Sequence, residues 1–390
     1  MVVGIVAEYN PFHNGHKLQI EYAKSVLKAD QIIVAMSGSF TQRGEIACFD
    51  KYTRAKAALL CGADIVLEIP TIFATSSARE FASAGVQLLA STGVVDTLLF
   101  SGECDNKELF ISESKKLLEL EQSGDFNNEV NSLMSQGISY ATARAKALKT
   151  FLDEELISSP NNILGLEYCR YINEHSLSMD VAVMKRQGNK YEDLSLSGDL
   201  SSASSIRQHY KLHKEYEAIP LEAKNLYENS TFIFSEDISE MLHYKLITTD
   251  SFDEYLDCNS DLSDRIKNKL NDYTDFTSFC QLLKSKNMEY SRISRALCHI
   301  LLGITDSDFK AAKDMGYCTY IRMLGFSKDG SSILSNIKEK GAAPLLTAPD
   351  NSIINKYDIL SSDILRAIVT SKTGTSSPTE YTRKFELVNI

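Results

Sequence analysis

Short apolar segments alternate with amphipathic ones through the first half of the chain. The apolar segments are rich in β-branched residues, which is typical of strands buried in a parallel sheet. They predict strands at residues 2–7, 31–37, 64–69, 94–101 and 179–184. The segments between them repeat apolar residues at helical spacing, which predicts helices from residue 14, over 51–60 and 77–89, and through most of 105–175. This alternation predicts an α/β fold with a doubly wound, Rossmann-like parallel sheet.

Beyond residue 207 the pattern changes. Helices separated by polar stretches dominate, and residues 384–390 suggest one more strand. We therefore predict two domains, an α/β domain at residues 1–207 and a mostly α-helical domain at residues 208–390.

Composition places the chain among ordinary globular proteins and excludes several classes. Its 390 residues are 43% hydrophobic and 24% charged, with a formal net charge of -11, which excludes a disordered or collagen-like chain and a polycation that binds DNA without selectivity. The eight cysteines include no Cys-x-x-Cys pair and are predicted to be reduced, mostly buried thiols. No apolar stretch approaches the roughly 18 residues of a membrane span, and the N-terminus lacks the basic flank of a signal peptide. We expect a cytoplasmic protein with neither a membrane nor DNA as its partner.

The most informative motif is Asn10-Pro11-Phe12-His13-Asn14-Gly15-His16, which follows the first predicted strand and opens the first helix. In open α/β sheets ligands bind at the carboxyl ends of strands, and a helix N-terminus there offers free N–H groups to a phosphate. His13 and His16 lie on one side of the first helical turn, and Gly15 lets a nucleotide approach the backbone. Imidazoles in this place can donate hydrogen bonds to a departing pyrophosphate, which stabilises the transition state electrostatically.

Two other interpretations of the histidines stay open. They can cap the helix or lie in a polar loop, or they can bind a metal ion. Only Glu8 adds a nearby ligand at suitable spacing, so we predict no metal site.

A strand followed by His-x-Gly-His and a helix resembles the nucleotidyltransferases related to the class I aminoacyl-tRNA synthetases, which implies a HUP-type fold. Six ordered motifs narrow the resemblance to the tRNA(Met) cytidine acetate ligases. They are GIVAEYNPFHNGH (4–16), MSGSFTQRGE (36–45), ADIVLEIP (63–70), PNNILGLEY (160–168), KR (185–186) and SSASSIR (201–207). Weaker similarity continues through residues 291–304 and 320–326.

The family activates acetate with ATP, forming acetyl-adenylate and pyrophosphate, and then transfers the acetyl group to N4 of the wobble cytidine of elongator tRNA(Met). The resemblance therefore implies an ATP-dependent ligase whose partners are acetate and elongator tRNA(Met). It implies a nucleotidyltransferase-like catalytic domain at residues 1–207 and a tRNA-binding domain at 208–390. Mg²⁺ is expected to accompany the triphosphate.

By position, the family's ATP loop falls on Val6, Ala7, Glu8, Tyr9, Asn10, Pro11, Phe12, His13, Asn14, Gly15, His16, Lys17, Leu18 and Gln19. His13 and His16 are the expected catalytic residues. Later ATP contacts are expected at Ser101 or Gly102, at Asn161 or Asn162, and at Arg186 and Gln187. From the residues alone, Asn161 also suits the N-cap of the helix that follows it.

Three further segments suit the substrates. Ser37 ends the second strand at the same crevice, and the polar loop with Gln42 and Arg43 can close over a small carboxylate or the incoming cytosine. A solvated surface pair of Arg43 and Glu45 is the alternative. The segment 201–207 resembles a distal, phosphate-facing motif of the superfamily, which implies contacts from Ser204 and Arg207.

Residues 281–328 hold eight basic and four acidic side chains inside an acidic protein. Arg292 and Arg295, with Tyr290, Tyr317 and Tyr320 interleaved, suit contact with RNA phosphates and stacking on bases. A solvated helix face is the alternative from composition alone, and the family resemblance favours RNA.

Other functions remain open at this point. A small-molecule cytidylyl- or adenylyltransferase would use the same His-x-Gly-His motif, but would not need a second domain with a basic segment. A non-catalytic, ATP-sensing RNA-binding protein would keep the basic segment, but would not need both histidines. A metallohydrolase built on the two histidines is the third alternative.

Overall fold

Five parallel strands form the centre of the fold, at or close to their predicted positions. The structure is a computed structural model that describes residues 1–136, 140–186, 200–285, 288–349 and 353–389. The strands are β1 (Val2–Ala7), β2 (Gln31–Ser37), β3 (Ile65–Ile69), β4 (Thr97–Gly102) and β5 (Asp180–Lys185). They lie in the order β5-β4-β1-β2-β3, and every neighbouring pair is parallel. The predicted doubly wound sheet is confirmed.

Helices connect these strands and dominate the second half of the chain. Up to β5 they are α1 (Asn14–Ser25), α2 (Lys51–Leu60), α3 (Thr71–Ala74), α4 (Ala78–Ser91), α5 (Lys107–Ser123), α6 (Asp125–Ser135), α7 (Tyr140–Phe151), α8 (Glu154–Ile157) and α9 (Pro160–Glu174). After β5 they are α10 (Ala203–His213), α11 (Leu221–Glu228), α12 (Ser239–Ile247), α13 (Ser260–Lys269), α14 (Phe276–Leu283), α15 (Tyr290–Leu302), α16 (Asp306–Asp314), α17 (Ser331–Lys340) and α18 (Ile353–Thr373). Short 3₁₀ segments lie at Ser235–Ile238 and Leu270–Asp272.

Three strands from the second half complete the same sheet. They are β6 (Ile321–Ser327), β7 (Leu345–Leu346) and β8 (Glu386–Val388). β6 pairs antiparallel with β3, and β7 and β8 pair parallel with β6. The sequence pattern predicted β8 but missed β6 and β7. The second half is therefore mostly helical, as predicted, and also extends the sheet that the first half begins.

Both faces of the sheet are buried, and alternate residues of β2 divide between them. Ile33 and Ala35 belong to a core that contains residues of α4 and α9. Ile32, Val34 and Met36 belong to a second core that contains residues of α1 and α2. This division follows from the two-residue repeat of a strand, and it explains why β2 is apolar throughout.

Within the described parts of the chain, no helix is long and apolar enough to cross a membrane. All eight cysteines are free, and each of them except the half-buried Cys318 is buried. The predicted reduced, mostly buried thiols are confirmed.

Candidate nucleotide-binding site

The order of the strands places a crevice at the carboxyl ends of β1 and β4. The connection after β1 leads to β2 on one side, while β4 lies on the other side. Such a reversal of strand order is where open α/β sheets bind ligands. α1 begins there, directly after β1, with His13 as its N-cap.

The two histidines fold back onto the first turn of α1. Nδ1 of His13 accepts a hydrogen bond from the N–H of Gly15 at 3.1 Å, and Nδ1 of His16 accepts one from the N–H of His13 at 3.3 Å. Their ring centroids lie 3.8 Å apart. Because both Nδ1 atoms accept, the neutral rings carry their protons on Nε2 and donate from that atom. Helix capping is therefore not an alternative to a chemical role, because it fixes the tautomer that a phosphate-binding imidazole needs.

Gly15 is required by this arrangement. A Cβ atom at position 15 would lie 2.9 Å from Cε1 and 3.1 Å from Nδ1 of His13. The glycine therefore makes room for the folded-back imidazole, in addition to the close approach to the backbone that the sequence predicted.

Both imidazoles are neutral at physiological pH. Burial, with the positive charges of Arg186 and Arg207, lowers the pKa of His13 to about 3. Burial and the neighbouring His13 lower the pKa of His16 well below its usual value. The charge that attracts an anion therefore comes from the arginines and the N-terminus of α1, while the histidines supply directed N–H groups.

The lowered pKa of His13 predicts a loss of stability in acid. The unfolded chain protonates this imidazole below about pH 6.5 while the folded chain does so only near 3, so protons favour unfolding over that interval. At pH 5 the penalty is about 2 kcal/mol for one imidazole that stays neutral when folded. We expect His13→Asn, which preserves a capping side chain, to lose less stability than the unaltered protein between pH 7.5 and 5. Denaturant melts at both pH values measure this difference, and His175→Asn, at an imidazole that is 43% exposed, is the control. Equal losses in His13→Asn and the unaltered protein would contradict the assignment.

The opposite wall of the crevice is built from the ends of β4 and β5 and the start of α9. The N–H of Arg186 donates to the carbonyl of Gly102 at 2.8 Å. Its guanidinium lies 3.7 Å from Oε1 of Glu103, and Nδ2 of Asn161 donates to the same oxygen at 2.8 Å. Glu103 therefore ties the predicted residues Arg186 and Asn161 together, a role that the sequence analysis did not assign.

The two asparagines of this wall have different surroundings and different roles. Asn162 is fully buried, and its Oδ1 accepts from the N–H groups of Glu103 and Cys104 at 2.9 and 3.2 Å. Its Nδ2 donates to the carbonyl of Glu155 at 2.8 Å. Asn162 thus holds the turn after β4, while the half-buried Asn161 lies at the surface of the crevice.

The start of α9 differs from the prediction. Ser159, and not Asn161, is the N-cap, and its hydroxyl oxygen accepts from the N–H of Asn162 at 3.3 Å. Pro160 occupies the first helical turn, where a missing N–H costs nothing. The helix therefore begins earlier than the asparagine pair suggested.

α10 and the loop at residues 42–45 border the crevice on a third side. Arg207 donates to the carbonyl of Asn10 at 2.7 Å, and its guanidinium lies 3.5 Å from Oε2 of Glu45. Glu45 therefore pairs with Arg207 on this side of the crevice. Ser204 lies in the first turn of α10, which Ser202 caps.

Arg54, to which no sequence motif pointed, holds the ends of β1 and β2 together. Its guanidinium, which is fully buried, donates to the carbonyls of Glu8 at 2.6 Å and Ser37 at 3.2 Å, and also to that of Gly38. The Glu8 carboxylate accepts from the N–H of Gln42 at 2.7 Å. Burial raises the pKa of Glu8, and the positive charge of Arg43 opposes that rise. The available signal was an arginine on the buried face of α2.

The other predicted nucleotide contacts lie on β1, on α1, in the loop between them and, for Ser101, on β4. Val6 and Ala7 end β1, Lys17 pairs with Glu222 at 2.6 Å, and Gln19 is buried. Gln187 lies outside the described residues.

The predicted RNA contacts on α15 adjoin this crevice. A Cβ atom at Gly44 would lie 2.5 Å from the backbone of Arg295, so α15 packs directly on the loop at 42–45. Nε of Arg295 donates to Asp257 at 2.9 Å, and the arginine side chain is only 12% exposed. Arg292 is half-buried on the same helix.

The rest of the basic segment is partly internal. Tyr320 and Arg322 are each 2% exposed, because β6, which carries Arg322 and directly follows Tyr320, lies inside the sheet. The prediction that Tyr320 stacks on RNA bases is therefore wrong. Tyr317 is half-buried and donates its hydroxyl hydrogen to Glu80 at 2.6 Å.

Comparisons with known proteins agree with one another. The family model described as HIGH Nucleotidyl Transferase matches residues 1–380. The chain is 35% identical over 384 residues to the tRNA(Met) cytidine acetate ligase of Clostridium kluyveri, covering 93% of each protein. It is also 35% identical over 377 residues to the enzyme of the same name from Clostridium tetani, covering 92% of this chain and 91% of that one.

Solved structures of Thermotoga maritima TmcAL are similar over the full length of both chains. The apo structure in form I superposes with a TM-score of 0.92 at 27% identity. The structure bound with alpha-thio ATP superposes with a TM-score of 0.89 at 26% identity. The protein therefore belongs to the HIGH nucleotidyl transferase family and, within it, to the tRNA(Met) cytidine acetate ligases.

Proposed function

We propose that this chain uses ATP to activate acetate and acetylates N4 of the wobble cytidine of elongator tRNA(Met). The observation that carries the proposal is the meeting of two neutral imidazoles, the N-terminus of α1, and the charges of Arg186 and Arg207 at one crevice. Free acetate is a poor acyl donor, and adenylation gives it a good leaving group. Because tRNA is its substrate, we place the work of the protein in the cytoplasm.

The first step is attack of an acetate oxygen on the α-phosphate of ATP. The new P–O bond gives acetyl-adenylate, and the bond to the β-phosphate breaks, so that pyrophosphate leaves with the electron pair. The Nε2–H groups of His13 and His16 stabilise the charge that develops on the departing phosphates. Arg186 and Arg207 add fixed positive charge, and a carboxylate beside Arg207 and Arg43 would be attracted for the same reason.

The second step joins the acetyl group to the tRNA. The exocyclic amine of cytidine attacks the carbonyl carbon of the acetyl group, AMP leaves, and the amine loses a proton. This step needs no further activation of the acyl group, so the contribution of the protein is to hold the amine against the adenylate.

Mg²⁺ would reach the crevice on the triphosphate, whose charge it offsets. The crevice carboxylates already accept hydrogen bonds, Glu8 from Gln42 and Glu103 from Asn161. A carboxylate keeps lone pairs after one such bond, so Glu8 and Glu103 are the crevice residues that would hold the ion beside the phosphates.

Substituting the two asparagines of α9 one at a time should separate an effect on ATP binding from an effect on stability. We expect Asn161→Ala to raise the KM for ATP with little change in stability, because Asn161 lies at the surface of the crevice. Asn162→Ala would remove the acceptor of the N–H groups of Glu103 and Cys104, at a cost of about 1–3 kcal/mol for each N–H group left buried without a partner. Thermal melts and ATP saturation curves of both variants test this; a larger KM effect in a stable Asn162→Ala than in Asn161→Ala would contradict it.

We propose that residues 208–390 bind the tRNA and deliver it to the crevice. The division from residues 1–207 is one of function, because strands from both parts belong to one continuous sheet. Arg292 and Arg295 lie on the helix that packs against the loop at 42–45, and we propose that the cytidine enters beside this loop. Asp257 already pairs with Arg295, which leaves Arg292 as the stronger candidate for a phosphate contact.

We expect Arg292→Ala to weaken tRNA binding and to flatten the salt dependence of the binding constant by up to about one unit of log-log slope. ATP binding should not change. Lys340→Ala is the matched control, because its backbone adjoins Gly93 at the amino end of β4, away from the crevice. Unchanged affinity and slope in Arg292→Ala would move the RNA site elsewhere.

One experiment tests the whole proposal. The protein is incubated with ATP, labelled acetate and an elongator tRNA(Met) transcript, beside a transcript whose wobble cytidine is uridine. We expect label in the first transcript and none in the second. Label only in a small molecule other than acetyl-adenylate would support a nucleotidyltransferase with a small substrate, and ATP-dependent tRNA binding without label would support a non-catalytic sensor.

A further inference from the structure

One histidine and two glutamates meet at the end of α10, outside the crevice. The histidine is His209, whose ring lies beside that of His213 one helical turn later, with 4.5 Å between the ring centroids. Glu215 and Glu217 follow in the turn after the helix. Ligand atoms of His209, Glu215 and Glu217 all lie within 4.8 Å of one another.

The Nε2 atom of His209 gives an independent sign of a missing ligand. It is buried and has no hydrogen-bond partner among the described residues. Oε1 of Glu217 lies 3.8 Å away, too far for a hydrogen bond. Two ligands of a tetrahedral zinc ion, each about 2.0–2.1 Å from the metal, lie roughly 3.4 Å apart. The observed separation therefore needs only a small contraction to hold a metal ion between the two side chains.

The chemistry of the donors selects the class of ion. Imidazole nitrogen suits zinc and its neighbours in the first transition row, and carboxylate oxygen is a common further ligand of zinc. Two carboxylates also balance the two positive charges of such an ion. Ions that prefer oxygen alone, such as Mg²⁺ and Ca²⁺, would leave the buried imidazole nitrogen without a partner.

The cluster is linked to the catalytic motif by a short path of backbone. The turn that carries the glutamates ends at Ala218, whose carbonyl accepts a hydrogen bond from the N–H of Asn14 at 2.9 Å. Asn14 is the first residue of α1 and lies between the two catalytic histidines. An ion that ties the turn to α10 would therefore also hold a neighbour of the His-x-Gly-His segment in place.

We propose that His209, Glu215 and Glu217 bind one divalent transition-metal ion of the zinc type, which braces the turn at residues 214–218 against α10. The site is separate from the ATP crevice and from the proposed reaction, so its test needs neither ATP nor tRNA.

The test is a calorimetric titration of the chelator-treated full chain with Zn²⁺, with Co²⁺ absorption as a second readout of the ligand geometry. We expect one equivalent to bind, and we expect His209→Gln and Glu217→Gln each to lower the affinity by roughly a hundredfold, the upper end of what loss of a supporting residue alone costs. His175→Gln, at an exposed imidazole elsewhere, should bind as the unaltered chain does. Melting curves without metal establish whether the variants fold. Glu217→Gln, at an exposed side chain, keeps the test informative if His209→Gln does not fold.

Three results would overturn the proposal. The first is the absence of saturable binding of Zn²⁺ by the full chain. The second is full zinc affinity in a folded Glu217→Gln variant. The third is binding that is lost in His13→Asn but kept in His209→Gln, which would place the ion on the catalytic histidines.

Discussion

Replacing His16 by asparagine is expected to slow acetyl-adenylate formation by about 10²- to 10³-fold, the usual effect of removing one preorganised donor to a developing charge. The oxygen of asparagine can take the place of Nδ1 and keep the bond from the N–H of His13. The Nε2–H group is lost, while the capped start of α1 is preserved. Because the fold should survive, the loss should appear in kcat, and melting curves should match those of the unaltered protein.

His16→Gln is the matched comparison. Its amide N–H reaches about as far as Nε2, so we expect part of the rate to return although the bond from His13 is lost. Pyrophosphate release measured in single turnovers separates this step from acetyl transfer. If His16→Asn released pyrophosphate at the unaltered rate, the imidazole would not be part of the reaction.

Lys51→Met is expected to destabilise the protein by about 3–5 kcal/mol, the range for removing one partner of a buried ion pair. Lys51 is 1% exposed, and its ammonium lies 2.7 Å from Glu68 and 2.9 Å from Glu380. Burial already raises the pKa of Glu68 to about 7. Without the lysine, two carboxylates would remain buried with less compensation, so the loss should grow as the pH rises and Glu68 ionises.

This network bears on the site because it lies directly behind the end of β2. A Cβ atom at Gly38 would lie 2.4 Å from Oε1 of Glu68, so the carboxylate touches the backbone that Arg54 holds. Lys56→Met is the control, since Lys56 is 40% exposed and lies 3.5 Å from Glu386; exposed pairs contribute at most about 1 kcal/mol. Adding Glu68→Gln to Lys51→Met should restore part of the stability. Equal denaturation midpoints for Lys51→Met and Lys56→Met would contradict this account.

The sequence predicted the parallel core of the fold because each of its strands is recognisable from its local apolar pattern. β1 and β2 are apolar on both faces and end at turn residues, so their bounds followed from the pattern. β6 carries Arg322 in the middle of an apolar run. That arginine is tolerated in the sheet because Glu380 and Tyr52 lie against it, and such distant partners leave no local pattern.

For the candidate site too, the sequence predicted some of the residues and not others. His13 and His16 belong to a contiguous motif, and its position directly after β1 indicated that they bind phosphate. The residues that hold the site act through tertiary contacts: Arg54 binds carbonyls at the ends of two strands, and Asn162 binds the turn after β4. Local sequence could not distinguish Asn162 from Asn161, because the full burial of Asn162 and the partial burial of Asn161 depend on the packing of α9 against β4.

The central claim is that the crevice of β1 and β4 joins acetate to AMP before tRNA takes part. The most direct test is exchange of labelled pyrophosphate into ATP by the unaltered protein, with acetate present or absent and no tRNA added. We expect exchange that requires acetate and that falls by about 10²- to 10³-fold in His16→Asn. Exchange that proceeds equally without acetate, or its absence from a preparation that acetylates tRNA, would contradict the claim.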